Sequence, residues 1–171
     1  MSVRKRIGQQ EFSDTADEAV VSVLVAADYL GQALSDVVAS HGITHDQYNV
    51  LRILRGAHPE GHARHEIARR MIRRAPDVTR MMDRLGRRKL IARARGAEDA
   101  RLSIARITPA GLALLKRIDP EIEEIQQSVM SALSASERRD LARLCDRIVP
   151  DQPDDPPLAS HPSRRRGPEP G

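Results

Sequence analysis

The sequence predicts a mainly α fold carrying one small β-hairpin, and three observations predict it. Apolar residues recur at three- and four-residue steps over most of residues 14–149. Helix-start signals stand at Thr44/Gln47, Thr108-Pro109 and Ser134/Glu137. Two strand-compatible runs, Leu90 to Arg95 and Leu102 to Ile107, flank the turn-forming "GAEDA". With 171 residues, 40% of them hydrophobic, the chain can bury one real core.

The elements follow in order. Residues 1–13 are polar and read as a flexible N-terminus. From Asp14 to Ser40, Val20, Val21, Leu24, Ala27, Leu30, Leu34, Val37 and Val38 mark a long helix, closed by "HGIT". Thr44 and Gln47 form a capping box for a helix from His45 to Arg55 that buries Tyr48, Leu51 and Ile53 or Leu54. "GAHPEGHA" is a loop. A third helix covers Arg64 to Ile72 with Ile67, Ala68 and Met71 inward, and a fourth covers Pro76 to about Arg88. Proline suits that first turn because its missing N–H would be unsatisfied there anyway. On the fourth helix Val78, Met81, Met82 and Leu85 share one sector, whereas Pro76, Thr79, Arg80, Asp83 and Arg87 lie opposite. After the hairpin, Thr108 caps and Pro109 begins a helix reaching Ser131, bent at Pro120. Ser134 and Glu137 start a last helix ending near Ile148, and residues 150–171, rich in Pro, Ser and charge, read as a disordered tail.

Composition removes several functions. Aromatics make up 2% of the chain, so base stacking on single-stranded nucleic acid has little to work with. The lone Cys145 can form neither an internal disulfide nor a cysteine metal cage. No secretory signal and no run of ~18 apolar residues is evident, which predicts a cytoplasmic protein without membrane contact.

Charge is unevenly placed. Arg64 to Arg106 holds fourteen Lys/Arg against five Asp/Glu, a surplus of +9 in a chain whose net charge is +4, so the remainder carries −5. A basic block on an acidic chain points to one surface built for a polyanion. Two short helices, a basic amphipathic helix and a basic hairpin form the layout of a winged helix-turn-helix. The helix fits the major groove of B-form DNA, and the hairpin, or wing, reaches the neighbouring minor groove, whose negative potential attracts arginine.

The chain resembles the MarR family (multiple antibiotic resistance regulators) over about Thr44 to Gly111. The resemblance rests on "TR" (Thr79, Arg80), "DRL" (Asp83 to Leu85), "LIAR" into the wing, the D-x-R of Asp99 and Arg101, and "ITPAG" (Ile107 to Gly111). It implies a ligand-responsive repressor, binding a palindromic double-stranded DNA operator as a homodimer, with half-sites ~10 base pairs apart. Residues 14–41 and 109–149 would supply the dimerisation helices of a domain spanning 14–149, and 44–108 the DNA-binding lobe. The apolar faces of those helices support this independently, being wider than a lobe of about sixty residues can cover.

By the same resemblance Pro76, Asp77, Thr79, Arg80 and Arg84 face bases or phosphates in the major groove, with Arg80 reading a base. Asp99, two residues from Arg101, would orient its guanidinium toward the minor groove. Arg64, Arg69, Arg73, Arg74, Arg93 and Arg95 are expected at phosphates or in solvent. A small aromatic or phenolic effector would bind near His41, His45, Tyr48 and Arg52. Three positions depart from the family pattern: Lys89 stands where glycine usually closes the recognition helix in a left-handed turn, Gly86 weakens that helix, and Arg74 or Ala75 replaces the small cap before it.

Other chemistry has weaker signals. His62 and His65 share a helix face but lack further metal ligands in Leu102 to Leu115, so no metal or cofactor is expected. Cys145, beside Leu141, Leu144 and Ile148, reads as packing rather than a redox sensor. No phosphate loop, nucleophile elbow or spaced acid pair argues for an enzyme. The competing class is an architectural or protein-interaction module on a winged-helix fold.

Overall fold

The computed structural model describes residues 3–9, 11–72, 77–95 and 103–149, and of Ala94 and Arg95 the backbone alone. Two compact units divide the chain, Met1–Met130 and Ser131–Gly171.

In the first unit the elements run α1 (Val3–Ile7), α2 (Thr15–Ser40), α3 (His45–Gly56), β1 (His62–Ala63), α4 (Arg64–Arg70), α5 (Val78–Arg87), β2 (Ile91–Arg95), β3 (Ser103–Ile107) and α6 (Pro109–Met130). Val3–Ile7 form a short helix that the polarity of this stretch does not announce. Arg4 of α1 pairs with Glu18 at 2.7 Å, and its guanidinium lies 5.2 Å from the Phe12 ring, so cation attraction does what apolar burial does not.

Helix α2 begins where Asp14 accepts the Asp17 N–H, and it packs on α3 and α6 through a face that ends at the fully buried Val38. Its outer residues Val20, Val23, Leu24 and Tyr29 stay exposed. By length and composition this helix is apolar enough to cross a membrane, with a window of mean hydropathy 1.3. As the sequence predicts, it contains no uninterrupted run of ~18 apolar residues; it passes on mean hydropathy instead. Counting uninterrupted apolar residues missed it because Asp28 and Asp36 break the run; Asp28 stands 3.9 Å from Arg6.

Both halves of the predicted capping box close α3: Thr44 Oγ1 accepts the Gln47 N–H and Gln47 Oε1 accepts the Thr44 N–H. Leu51 and Leu54 are fully buried in a core shared with Ile67, Leu85, Ile107, Leu115 and Ile118. The loop expected over Gly56 to Ala63 ends in a strand instead. β1 pairs antiparallel with β3, His62 opposite Ala105, giving a three-stranded sheet ordered β1-β3-β2. Helix α4 stops at Arg70, two residues before the predicted end.

At the start of α4 the Ala63 N–H donates to Glu66 Oε2 at 2.9 Å. This bond above all holds the Glu66 carboxyl below its ordinary range, with His62 and Arg70 adding attraction and partial burial opposing it. Because the folded pKa lies below the unfolded one, the stabilisation is present above the unfolded carboxylate range and disappears as pH falls through the folded value. Glu66→Gln should therefore lower the melting temperature at pH 7 and change it little at pH 3, as thermal melts at the two pH values would report.

Helix α5 closes in a six-residue loop of bonds. The Leu90 N–H donates to Leu85 O and the Lys89 N–H to Gly86 O, with Leu85 and Leu90 both buried. That geometry forces Lys89 to φ 58, the left-handed turn anticipated from its position. A side chain there costs ~1 kcal/mol, so Lys89→Gly should raise unfolding free energy by about that amount in denaturant titration.

The two hairpin arms pair antiparallel, Ile91 opposite Ile107 and Arg95 opposite Ser103, and the predicted tip at Gly96 to Ala100 lies outside the described residues. Thr108 Oγ1 then accepts the Gly111 N–H, capping α6, which continues past Pro120. In the second unit α7 (Ala135–Ile148) starts at the Ser134/Glu137 capping box; it buries no residue, and Leu141, Leu144 and Ile148 are exposed.

Candidate nucleic-acid interface

The interface is built on α5. Val78, Met82 and Leu85 fix its inner side in the core, leaving Thr79, Arg80, Asp83, Arg84 and Arg87 in solvent. The helix begins two residues later than the sequence implied, and its cap is Asp77 rather than Arg74 or Ala75, since Asp77 Oδ1 accepts the Arg80 N–H at 2.9 Å. A carboxylate satisfies an orphan donor there and favours the positive end of the helix dipole. The other carboxylate oxygen forms an ion pair with Arg80, 2.9 Å from its Nε, while the Arg80 side chain remains 80% exposed. Arg80 is thus oriented from one side and open on the other.

Neighbouring elements tie into the same face. Arg64, at the start of α4, donates from Nη1 to Thr79 Oγ1 at 3.1 Å. Arg93 on β2 reaches Asp83 Oδ1 with Nη2 at 2.7 Å. Between α4, α5 and the sheet lies a groove of about 330 Å³, lined by Arg64, His65, Thr79, Arg93 and Ser103. A second, of about 380 Å³, separates the start of α3 from α5 and is lined by Thr44, Asp46, Asp77, Arg80 and Arg84. Behind the face, Arg88 Nη1 donates to Gly42 O at 2.5 Å, anchoring the end of α5 to the turn after α2.

Of the residues assigned to DNA, the structure brings Asp77, Thr79, Arg80, Arg84 and Arg93 together. Arg73, Arg74, Pro76, Asp99 and Arg101 lie outside the described residues, as does the side chain of Arg95. The Arg64–Thr79 and Arg93–Asp83 links carried no sequence signal beyond complementary polarity. Arg106, on the β3 arm of the hairpin, donates from Nε to Glu60 O at 3.0 Å in the loop before β1.

The four residues of the expected effector crevice do not form one open cluster. Tyr48 is buried and its hydroxyl donates to Asp119 Oδ1 at 3.3 Å on α6, where Arg55 also pairs with Asp119. Burial pushes the Tyr48 hydroxyl up, the Asp119 charge adds to this, and Arg52 and Arg55 pull it partly back. The Arg52 guanidinium sits 5.8 Å from the centre of the Tyr48 ring. His41 meets Glu121 on α6 at 2.8 Å, and His45 is half-buried. Asp119, Glu121 and Arg55 were missed because two of them lie some seventy to eighty residues away along the chain. Among the described residues no group of three His, Cys, Asp or Glu could hold a metal ion.

An exposed basic helix held beside a hairpin, on a three-helix lobe, defines a winged-helix DNA-binding protein. The MarR family model matches residues 43–103. A MarR transcription factor from Planctomyces limnophilus is 34% identical, with 80% of this chain and 98% of that one covered and a TM-score of 0.62. The PcaV transcriptional regulator from Streptomyces coelicolor, solved in complex with its natural ligand, is 27% identical over 81% of this chain and 96% of its own, with a TM-score of 0.65. The homoprotocatechuate degradative operon repressor of Escherichia coli is 25% identical over 133 residues, 78% of this chain and 88% of that protein. The chain belongs to the MarR family and is a DNA-binding transcriptional regulator.

Proposed function

We propose that the protein is a homodimeric repressor that binds a palindromic operator and is released by a small aromatic or phenolic acid. The observation that carries this reading is the exposed row Thr79, Arg80, Arg84 and Arg87 on α5 with Arg93 beside it, inside the segment that holds the +9 surplus. Arg80 reads a base edge and Asp77, Thr79 and Arg84 hold register on the duplex. Arg73, Arg74, Pro76 and Arg95 extend the contact, and Asp99 and Arg101 carry the wing into the minor groove.

Dimerisation is supported by apolar side chains that the single chain leaves uncovered: Val20, Val23, Leu24 and Tyr29 on α2, and Leu141, Leu144 and Ile148 on α7. Residues 14–41 and 109–149 serve as the dimerisation helices, 44–108 as the lobe and 150–171 as a tail. The repressing sign is supported by the operon repressor among the relatives, and the effector by the ligand-bound one. Arg52 over the Tyr48 ring offers such a molecule a cation and an aromatic edge, and His41 and His45 complete the proposed contact. The ligand acts only through a difference in affinity for two spacings of the lobes. The protein works in the cytoplasm and catalyses no reaction.

The test is binding of the full chain to a palindromic duplex from its own promoter region and to a scrambled duplex, across salt concentrations. A steep decline with salt together with discrimination between the duplexes is expected. Equal binding to both would leave an architectural role, and no binding at low ionic strength would overturn the reading.

A further inference from the structure

We propose that Asp83 is a positioning residue for DNA recognition: by holding Arg93 it fixes the wing to the recognition helix, so that both enter the duplex as one unit. The proposal deepens the DNA-binding reading and rests on it for its functional consequence.

Asp83 is out of place by charge alone. It stands on the exposed side of α5 with Arg80, Arg84 and Arg87, where a carboxylate repels the phosphates that these arginines attract. The structure gives it a partner. Arg93 Nη2 lies 2.7 Å from Asp83 Oδ1, and Arg93 belongs to β2, the strand that leads into the wing.

Strand alternation explains the direction of Arg93. Residues two apart share a face, so Arg93 follows the buried Ile91 toward the body of the lobe, whereas Ala92 lies on the other face. This argues against Arg93 as a phosphate contact. In the sheet order β1-β3-β2, β3 is held by β1 at Ile104 and Ala105, whereas β2, among the described residues, is an edge strand paired on one side alone. Leu90 and Ile91, both buried, fix the start of β2, and the Asp83–Arg93 pair ties this edge strand to α5 one inward-facing position further along. The two side chains are 46% and 39% exposed, so the pair adds little to global stability, and its effect falls on the angle between wing and helix.

Two measurements on the full chain decide it. In the free protein, amide hydrogen exchange at Ala92 to Arg95 should quicken in Asp83→Asn and in Arg93→Gln, with the core amides and the melting temperature unchanged. On DNA, Asp83→Asn removes a negative charge from the binding face, so a face charge without a partner role predicts tighter binding to every duplex. Positioning predicts instead a loss on the order of tenfold on the operator, equal or stronger binding to scrambled duplex, and a double variant no weaker than either single one. Arg93→Lys, which keeps the ion pair, should recover most of the loss. A fall of about one in the salt slope for Arg93→Gln would mark Arg93 as a phosphate contact and overturn the proposal. Unchanged exchange in Asp83→Asn would overturn it also. Quickened exchange in a protein that ignores duplex DNA would retain the restraint while removing the DNA-binding reading.

Discussion

Gly111→Ala should destabilise the protein by about 2 kcal/mol, lowering its melting temperature by about 4–8 °C, although the same exchange inside most helices is stabilising. Propensity alone favours Ala over Gly by ~1 kcal/mol in a helix interior. At this position a Cβ would stand 2.4 Å from the Leu90 carbonyl oxygen and 2.7 Å from Ile107 Cγ1. The carbonyl cannot swing aside freely, because it accepts both the Thr108 N–H at 3.1 Å and the Thr108 hydroxyl at 3.0 Å. Ile107 is buried in the core. Three parts of the fold meet here: the end of the recognition helix, the base of the hairpin and the first turn of α6. Their junction must separate or distort if a methyl group is added. Thermal unfolding of Gly111→Ala beside Gly86→Ala provides the comparison, since a Cβ at Gly86 meets nothing within 4 Å and should raise the melting temperature. Equal shifts in the two variants would show that the junction has slack the geometry does not suggest.

The same junction explains which parts of the fold could be read from sequence. "ITPAG" announced a capped helix start, and Thr108 does cap α6; that its one hydroxyl proton is within reach of both the Lys89 carbonyl at 2.7 Å and the Leu90 carbonyl at 3.0 Å, tying helix to hairpin, has no local signature. Capping boxes at Thr44 and Ser134 were legible because both partners lie within four residues. The apolar face of α5 was legible for a similar reason, a 3.6-residue period being written in consecutive positions. β1 was not, because a two-residue strand has no period, and only its pairing with β3 makes it one. Asp77 was read as a contact to DNA and proved also to be the cap, an ambiguity built into a residue type that serves both purposes. Asp119 illustrates the limit most directly. It collects Tyr48 and Arg55 from α3, so the crevice expected to be lined by Tyr48 and Arg52 already has an internal acid satisfying the tyrosine. A carboxylate effector would have to compete with Asp119 or use the Arg52 side of the ring.

Arg80→Ala should weaken operator binding by ~1–3 kcal/mol, a loss of about five- to 150-fold, and should remove the preference at a single base pair in each half-site. The geometry favours base reading over phosphate contact. With Nε 2.9 Å from Asp77 Oδ2, the guanidinium is drawn toward the helix start from one side, and an 80% exposed side chain leaves the far edge of the fork to meet the O6 and N7 acceptors of guanine. Pre-orientation matters because a free arginine loses rotamer entropy on docking, and the Asp77 bond has already taken part of that loss. Asp77→Asn gives a graded companion. The amide oxygen can still accept the Arg80 N–H and keep the cap, so stability should change little, while the orienting charge is lost and discrimination at the same base pair should fall. Pure electrostatics predicts the reverse for Asp77→Asn, since removing an acid from this face strengthens attraction to every duplex. Titrations of both variants against operators with each of the four bases at that position separate the outcomes. A uniform loss for Arg80→Ala across all four would reduce Arg80 to a phosphate clamp and move base reading to Thr79 or Arg84.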